Sequence, residues 1–232
     1  MNRHNVITVI AIALTFGSGA LDVAVFTRLG GVFASVMTGN IVLAGLAIAR
    51  GSVSLLLHAL CAVGGYVAGV AAGTRIAWFH SGPAAGSTGE EPSWAPHVRV
   101  ALSLELALEC GVAAGWFATD GRPLGVLQFG LLALGAAAMG VQGAAADQMG
   151  LKGVSTTYLT GTLTGLVVIL ARPDRPRAGL IRPGLLLGLL TGALLSGLLV
   201  LTVPVLAPVL PLGALVVVLV LGAREEGRLH QR

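Results

Sequence analysis

The stretches LGGVFASVMTGNIVLAGLAIAR, residues 29–50, and LKGVSTTYLTGTLTGLVVILAR, residues 151–172, decide how this chain is read. Laid over each other without a gap, they share Leu29, Gly31, Val32, Thr38, Gly39, Ala49 and Arg50 with the residues 122 positions later, seven matches in 22. A short apolar alphabet inflates such matches. The Thr-Gly pair carries more weight, because it puts two helix-weakening residues inside each apolar run. Met37-Thr38-Gly39-Asn40 interrupts the first and Leu159-Thr160-Gly161-Thr162 the second. The pattern predicts a duplicated membrane segment, locally broken at the same point in both copies.

The rest of the chain supplies the membrane. Charged residues make up 10% of it and hydrophobic residues 55%, mean hydropathy is +0.89, and the apolar runs reach the roughly 20 residues needed to cross about 30 Å of hydrocarbon. The fold class is an all-α polytopic transmembrane helical bundle. Backbone in lipid must bond within its own helix or within a closed barrel, and no ten-residue alternating strands occur. Eight apolar segments can be drawn, at 6–26, 31–49, 54–79, 98–118, 124–146, 153–171, 183–203 and 205–222. If the second and sixth cross fully, there are eight spans and the repeats run parallel. If both are re-entrant, there are six and the repeats are inverted. Residues 1–232 form one membrane domain, with halves 1–97 and 98–232. A polar linker at 81–97, carrying Pro83, Pro92 and Pro96, joins them.

The opening residues imitate a secretory leader, with Arg3, an apolar core and a small Gly17-Ser18-Gly19-Ala20 stretch. The apolar run continues to Phe26, and the segment occupies the place of residues 129–146 in the second half, so it is expected to stay as a span. Glycines at four-residue spacing, Gly65, Gly69, Gly73 and Gly188, Gly192, predict close helix contacts. Cys61 and Cys110 lie in apolar segments without metal-ligand spacing and predict neither a disulfide nor a zinc site. The formal charge of +4 does not point to nucleic acid, because the basic residues gather at segment ends. Arg172, Arg175, Arg177 and Arg182, with Arg224, Arg228 and Arg232, predict that those loops and both termini face the cytoplasm.

Polar residues inside apolar segments are the functional candidates. Asp22 lies late in the first segment. Glu105 and Glu109 are four residues apart, which places both carboxylates on one helix face. Two carboxylates that close, in a low dielectric, do not both stay charged without a cation, a donor or water beside them. Gln142 adds a neutral donor and acceptor. In the sixth segment Ser155, Thr156, Thr157, Tyr158, Thr160, Thr162 and Thr164 crowd the first half. Hydroxyls can fold back onto helix carbonyls, which makes part of this polarity harmless; the functional alternative is a broken helix whose exposed ends meet a solute. His58 is the histidine best placed within a span, and no His-x-x-x-His, Cys-x-x-Cys or phosphate-binding glycine motif occurs. No catalytic residues, metal or cofactor are expected, and the chain is not expected to be an enzyme.

Gly19-Ala20-Leu21-Asp22, the run from Arg28 through Met37-Thr38-Gly39-Asn40 to Val42, Gly140-Val141-Gln142-Gly143-Ala144, and Ser155-Thr156-Thr157-Tyr158-Leu159-Thr160-Gly161-Thr162 together resemble the YoaK family of bacterial multi-pass membrane proteins. The resemblance runs through essentially the whole chain. It implies a fold and a bacterial inner-membrane address, since the family has no assigned function. It also implies Gln-Asn where this chain has Gln142-Gly143.

The leading expectation is a small secondary transporter for an unknown small solute or ion, in contact with the lipid bilayer and with room for a homo-oligomer. Thr38, Gly39, Asn40, Gln142, Tyr158, Thr160, Gly161 and Thr162 would line its substrate site where the two breaks meet. Asp22, Glu105 or Glu109 would hold a coupling proton or cation. The rival expectation is a scaffold or sensor whose cytoplasmic arginines recruit a partner or anionic lipid.

Overall fold

A computed structural model describes residues 3–81, 94–150, 159–171 and 181–229. Eight α-helices follow in order: α1 Arg3–Arg28, α2 Met37–Arg50, α3 Val53–Ser81, α4 Pro96–Phe117, α5 Gly125–Gln148, α6 Leu159–Ala171, α7 Ile181–Thr202 and α8 Val209–Leu229. Among the described residues there are no strands. Local chemistry sets several of the ends. Pro96 starts α4 where its missing N–H costs nothing. Gly51, left-handed at φ 65°, closes α2 by donating its N–H to the carbonyls at its end. Pro204 stops α7 and opens a single 3-10 turn, Pro204–Leu206.

Among the described residues, six helices are long and apolar enough to cross a bilayer, and α2 is a shorter apolar helix. With 14 residues, α2 rises about 21 Å, well short of the hydrocarbon thickness. Packing fixes where the long helices begin and end. Trp116, at the end of α4, donates its indole N–H to the Pro204 carbonyl at 2.8 Å. Gln128 near the start of α5 reaches the Arg28 carbonyl at the end of α1, 2.9 Å away, and Arg28 reaches the Val200 carbonyl near the end of α7 at 3.0 Å. Gly30, just past α1, lies against the ring of His58 near the start of α3. These ends share one face of the bundle. At the other, Arg99 near the start of α4 pairs with Glu226 near the end of α8 at 2.6 Å. The chain leaves α1 and starts α3 on one side, so α2 does not cross.

α1 and α5 are the central helices, with two-thirds of each span buried. The main packing partners of α1 are α7 and α8, and those of α5 are α3 and α4; α2 lies on α3 and α6 on α7. Exchanging the first four helices with the last four maps these contacts onto themselves. Both central contacts are close. A Cβ at Gly192 would overlap the Phe16 carbonyl, and one at Gly69 the Ala137 carbonyl. In lipid, where apolar burial gives no net drive to associate, such backbone approach supplies the dispersion that holds helices together.

Gly192→Ala and Gly69→Ala are each expected to destabilise the bundle by about 1–3 kcal/mol. Gly45→Ala in α2, with open space around it, is expected to change nothing measurable. Thermal unfolding in detergent reads the difference; equal behaviour of all three would contradict this packing.

Candidate functional site

Thr160 and Gly161 lie in α6, which follows directly on the undescribed residues 151–158. The first Thr-Gly phrase sits at a helix start rather than within a helix, Thr38 and Gly39 lying in the first turn of α2. That is where low helix propensity costs least and where backbone N–H groups lack intrahelical partners anyway. No side chain caps α2; its N-cap position is Val36. Thr38 is exposed, as are Thr160 and Gly161, while Thr162 is buried. The Thr164 hydroxyl folds back onto the Thr160 carbonyl at 2.9 Å.

The chain descends to α2 through a loop tied to α1. The Ser35 N–H donates to Asp22 Oδ1 at 2.8 Å, and the Ser35 hydroxyl donates to Asp22 Oδ2. Asn40 closes the loop on itself: its amide nitrogen donates to the Phe33 carbonyl at 2.8 Å, and its amide oxygen accepts from the Phe33 N–H at 2.9 Å. Asn40 is completely buried. Its amide and the Asp22 carboxylate therefore serve as struts for the α1–α2 loop, and both have intramolecular partners before any solute arrives. Gly30, at φ 96° and against His58, is a position only glycine fits.

The second cluster lies deeper. Glu105 is 1% exposed and Glu109 3%, and both Glu105 oxygens and Glu109 Oε2 lack a hydrogen-bond partner among the described residues. The positions of Gly111 beside Leu134 and Gly115 beside Leu131 set α4 antiparallel to α5. Continued along the helices, that register brings Glu105 level with α5 residues 140–141 and Glu109 level with 136–137. Gln142 is thus close to the depth of Glu105, and its amide donates to Ser18 Oγ of α1 at 2.7 Å. Ser196 of α7 is fully buried, and its hydroxyl has no partner among the described residues. Among those residues no three His, Cys, Asp or Glu side chains gather where they could hold a metal.

The structure divides the expected site. α2 packs on α3 and α6 on α7, rather than chiefly on each other, so Thr38 and Thr160 belong to separate peripheral elements. Tyr158 lies outside the described residues, as do 82–93 of the linker and the stretch 172–180 carrying Arg172, Arg175 and Arg177. Ser18 and Ser35, partners of Gln142 and Asp22, were not singled out from sequence. Thr15, Ser18 and Asp22 step along one face of α1 at intervals of three and four, a polar stripe that marks them.

Such an arrangement defines a multi-pass membrane protein with, among the described residues, six candidate spans and an intramembrane carboxylate pair. The chain belongs to the family described as "Protein of unknown function (DUF1275)", which matches residues 10–221. It is similar to the UPF0700 transmembrane protein YoaK of Bacillus subtilis (strain 168), 34% identical over 154 residues. That alignment takes in 66% of this chain and 63% of the relative, so the chain spans less than two thirds of that protein's length. No solved structure matches.

Asp22→Ala strands the Ser35 N–H and hydroxyl and is expected to cost about 1–3 kcal/mol. Thr38→Val, on an exposed side chain, is expected to stay within about 0.5 kcal/mol. Unfolding in detergent checks both; an Asp22→Ala variant as stable as the parent would remove the strut.

Proposed function

We propose that the protein is a small secondary transporter of the bacterial inner membrane, built from two inverted halves, each contributing three spans and one re-entrant helix. The observation that carries this reading is the Glu105 and Glu109 pair. A carboxylate buried in a bilayer with no partner is costly, and such groups mark ion or proton pathways. Their level in the bundle, near Gln142 and Ser18 and beside the two central helices, is where inverted-repeat transporters bind their coupling species. The duplication is supported by the shared 29–50 and 151–172 pattern and by the contact exchange between halves.

In this account Glu105 and Glu109 hold a proton or monovalent cation, and Gln142 borders the same interior. Thr38 and Thr160 offer hydroxyls, and Gly39 at the uncapped start of α2 a backbone N–H, to a small polar solute at opposite mouths of the path, with Gly161 and Thr162 beside Thr160. Asp22 and Asn40 act by holding the first mouth in shape. Six crossings put both termini on one side, and the arginines assign that side to the cytoplasm. The scaffold alternative leaves two unpartnered carboxylates in the core without a task.

Proteoliposomes loaded with a pH-sensitive dye, challenged with amino acids, organic acids, sugars, amines and inorganic ions in turn, test the proposal. At least one class is expected to move charge or protons, with Glu105→Gln and Glu109→Gln lowering the flux at least tenfold. Equal flux in these variants, or none with any class, would contradict it.

A further inference from the structure

The close contacts in the bundle divide it along a line that the sequence halves do not follow. Among the described residues, every helix glycine whose Cβ would meet the backbone of another helix does so within one of two groups. Gly19, Gly188 and Gly192 join α1 to α7, and Gly65, Gly69 and Gly140 join α3 to α5. With their other main partners these make one group of α1, α6, α7 and α8 and a second of α2, α3, α4 and α5. The first helix of each half has thus changed sides: α1 packs with the last three helices, and α5 with α2, α3 and α4.

Between the groups runs a seam, where α4 meets α8 and the 3-10 turn, and α1 meets α5. One face of α4 lines it. Val98, Leu102, Glu105, Glu109, Val112 and Trp116 are all buried and follow one another at steps of four and three. Val98 and Leu102 share a core with Leu14 of α1 and Leu215 of α8. Val112 converges with Leu21 and Val25 of α1 on Gly135 of α5. Glu105 and Glu109 lie between these on the same face, and so stand in the seam. Specific contacts cross it at both ends. Where α1 finishes, the Trp116 indole N–H donates to the Pro204 carbonyl at 2.8 Å and Gln128 Nε2 donates to the Arg28 carbonyl at 2.9 Å. Where α4 starts, Arg99 pairs with Glu226 at 2.6 Å and the Trp94 ring lies on Gly222. By the rise of α4, Glu109 is about 10 Å from Trp116 and Glu105 about 9 Å from Arg99.

We propose that the bundle opens along this seam, the two groups moving as units, with the contacts at either end as clasps released one at a time to open Glu109 or Glu105 to the adjoining side. The purpose of the motion rests on the transport reading; the division of the bundle does not. Backbones in contact through glycine have no slack to slide, whereas a seam of side chains fastened at its ends can part and close again. Rocking one sequence half against the other would instead pull α1 from α7 and α5 from α3.

The test is the distance between spin labels at exposed sites of the full chain in lipid nanodiscs, with Cys61 and Cys110 replaced. Val126 paired with Leu201 spans the seam where α1 finishes, and Val126 paired with Val53 stays within one group. At the other end Asp147 with Ala223 spans the seam, and Asp147 with Phe79 stays within one group. Each spanning pair lies inside one sequence half and each control pair joins the two halves, so the two motions give opposite results. Trp116→Phe with Gln128→Leu removes both bonds of the first clasp. It is expected to lengthen Val126–Leu201 by several ångströms and to leave Val126–Val53 and Asp147–Ala223 at their parent values. Arg99→Gln with Gly222→Ala breaks the ion pair and drives the Trp94 ring away, and is expected to lengthen Asp147–Ala223 alone. A change in the control pairs, lengthening at both ends at once, or no change in either variant would overturn the proposal. Should one variant fail to fold, the other decides against the parent. Flux in the Glu105 and Glu109 variants is a separate reading, so a seam that stays shut leaves the transporter standing, and absent flux leaves the seam standing.

Discussion

A polar group in hydrocarbon has nowhere to turn except to the protein itself or to water the protein admits, and this structure depends on how each such group is answered. The six long helices answer it within their own backbones. Asp22, Asn40 and Gln142 answer it with Ser35, Phe33 and Ser18. Three of the four oxygens of Glu105 and Glu109 have no such partner among the described residues, and the uncapped start of α2 has no side chain to serve it. Under the proposed function, those two places are where a group from outside the chain would bind.

Helix packing serves this arrangement rather than competing with it. Glycines let α1 close onto α7 and α5 onto α3 until backbones touch, giving two rigid pairs, each joining a helix of one half to a helix of the other. The central helices of both pairs present polar residues inward, and α4 brings its carboxylates to the same depth. The short helices stay at the periphery, on α3 and α7.

Much of this was legible in the chain. Hydropathy, segment length and arginine placement gave the bundle, and glycines at four-residue steps marked the close contacts because only a missing Cβ permits them. The paired carboxylates were visible because a helical step of four puts them on one face. Span number was not legible: the apolar run of about 19 residues at 31–49 looks like a crossing until Val36 and its neighbours are seen outside the helix. The roles of Asp22 and Asn40 were also hidden, since their partners are a serine 13 residues away and a backbone seven residues away, contacts that no periodicity announces. Gln128 and Arg28 escaped notice because each sits at a helix end, where polar residues are ordinary.

The central claim of the proposed function is that Thr38 of α2 and Thr160 of α6 lie at water-filled mouths on opposite sides of the membrane. Single cysteines at Thr38 and Thr160, in a chain with Cys61 and Cys110 replaced, measure it directly when treated with a membrane-impermeant thiol reagent in right-side-out and inverted vesicles. The account predicts that Thr38→Cys reacts only from outside the cell and Thr160→Cys only from the cytoplasm. Reaction of both from one side, or of neither while both variants are folded, would contradict it.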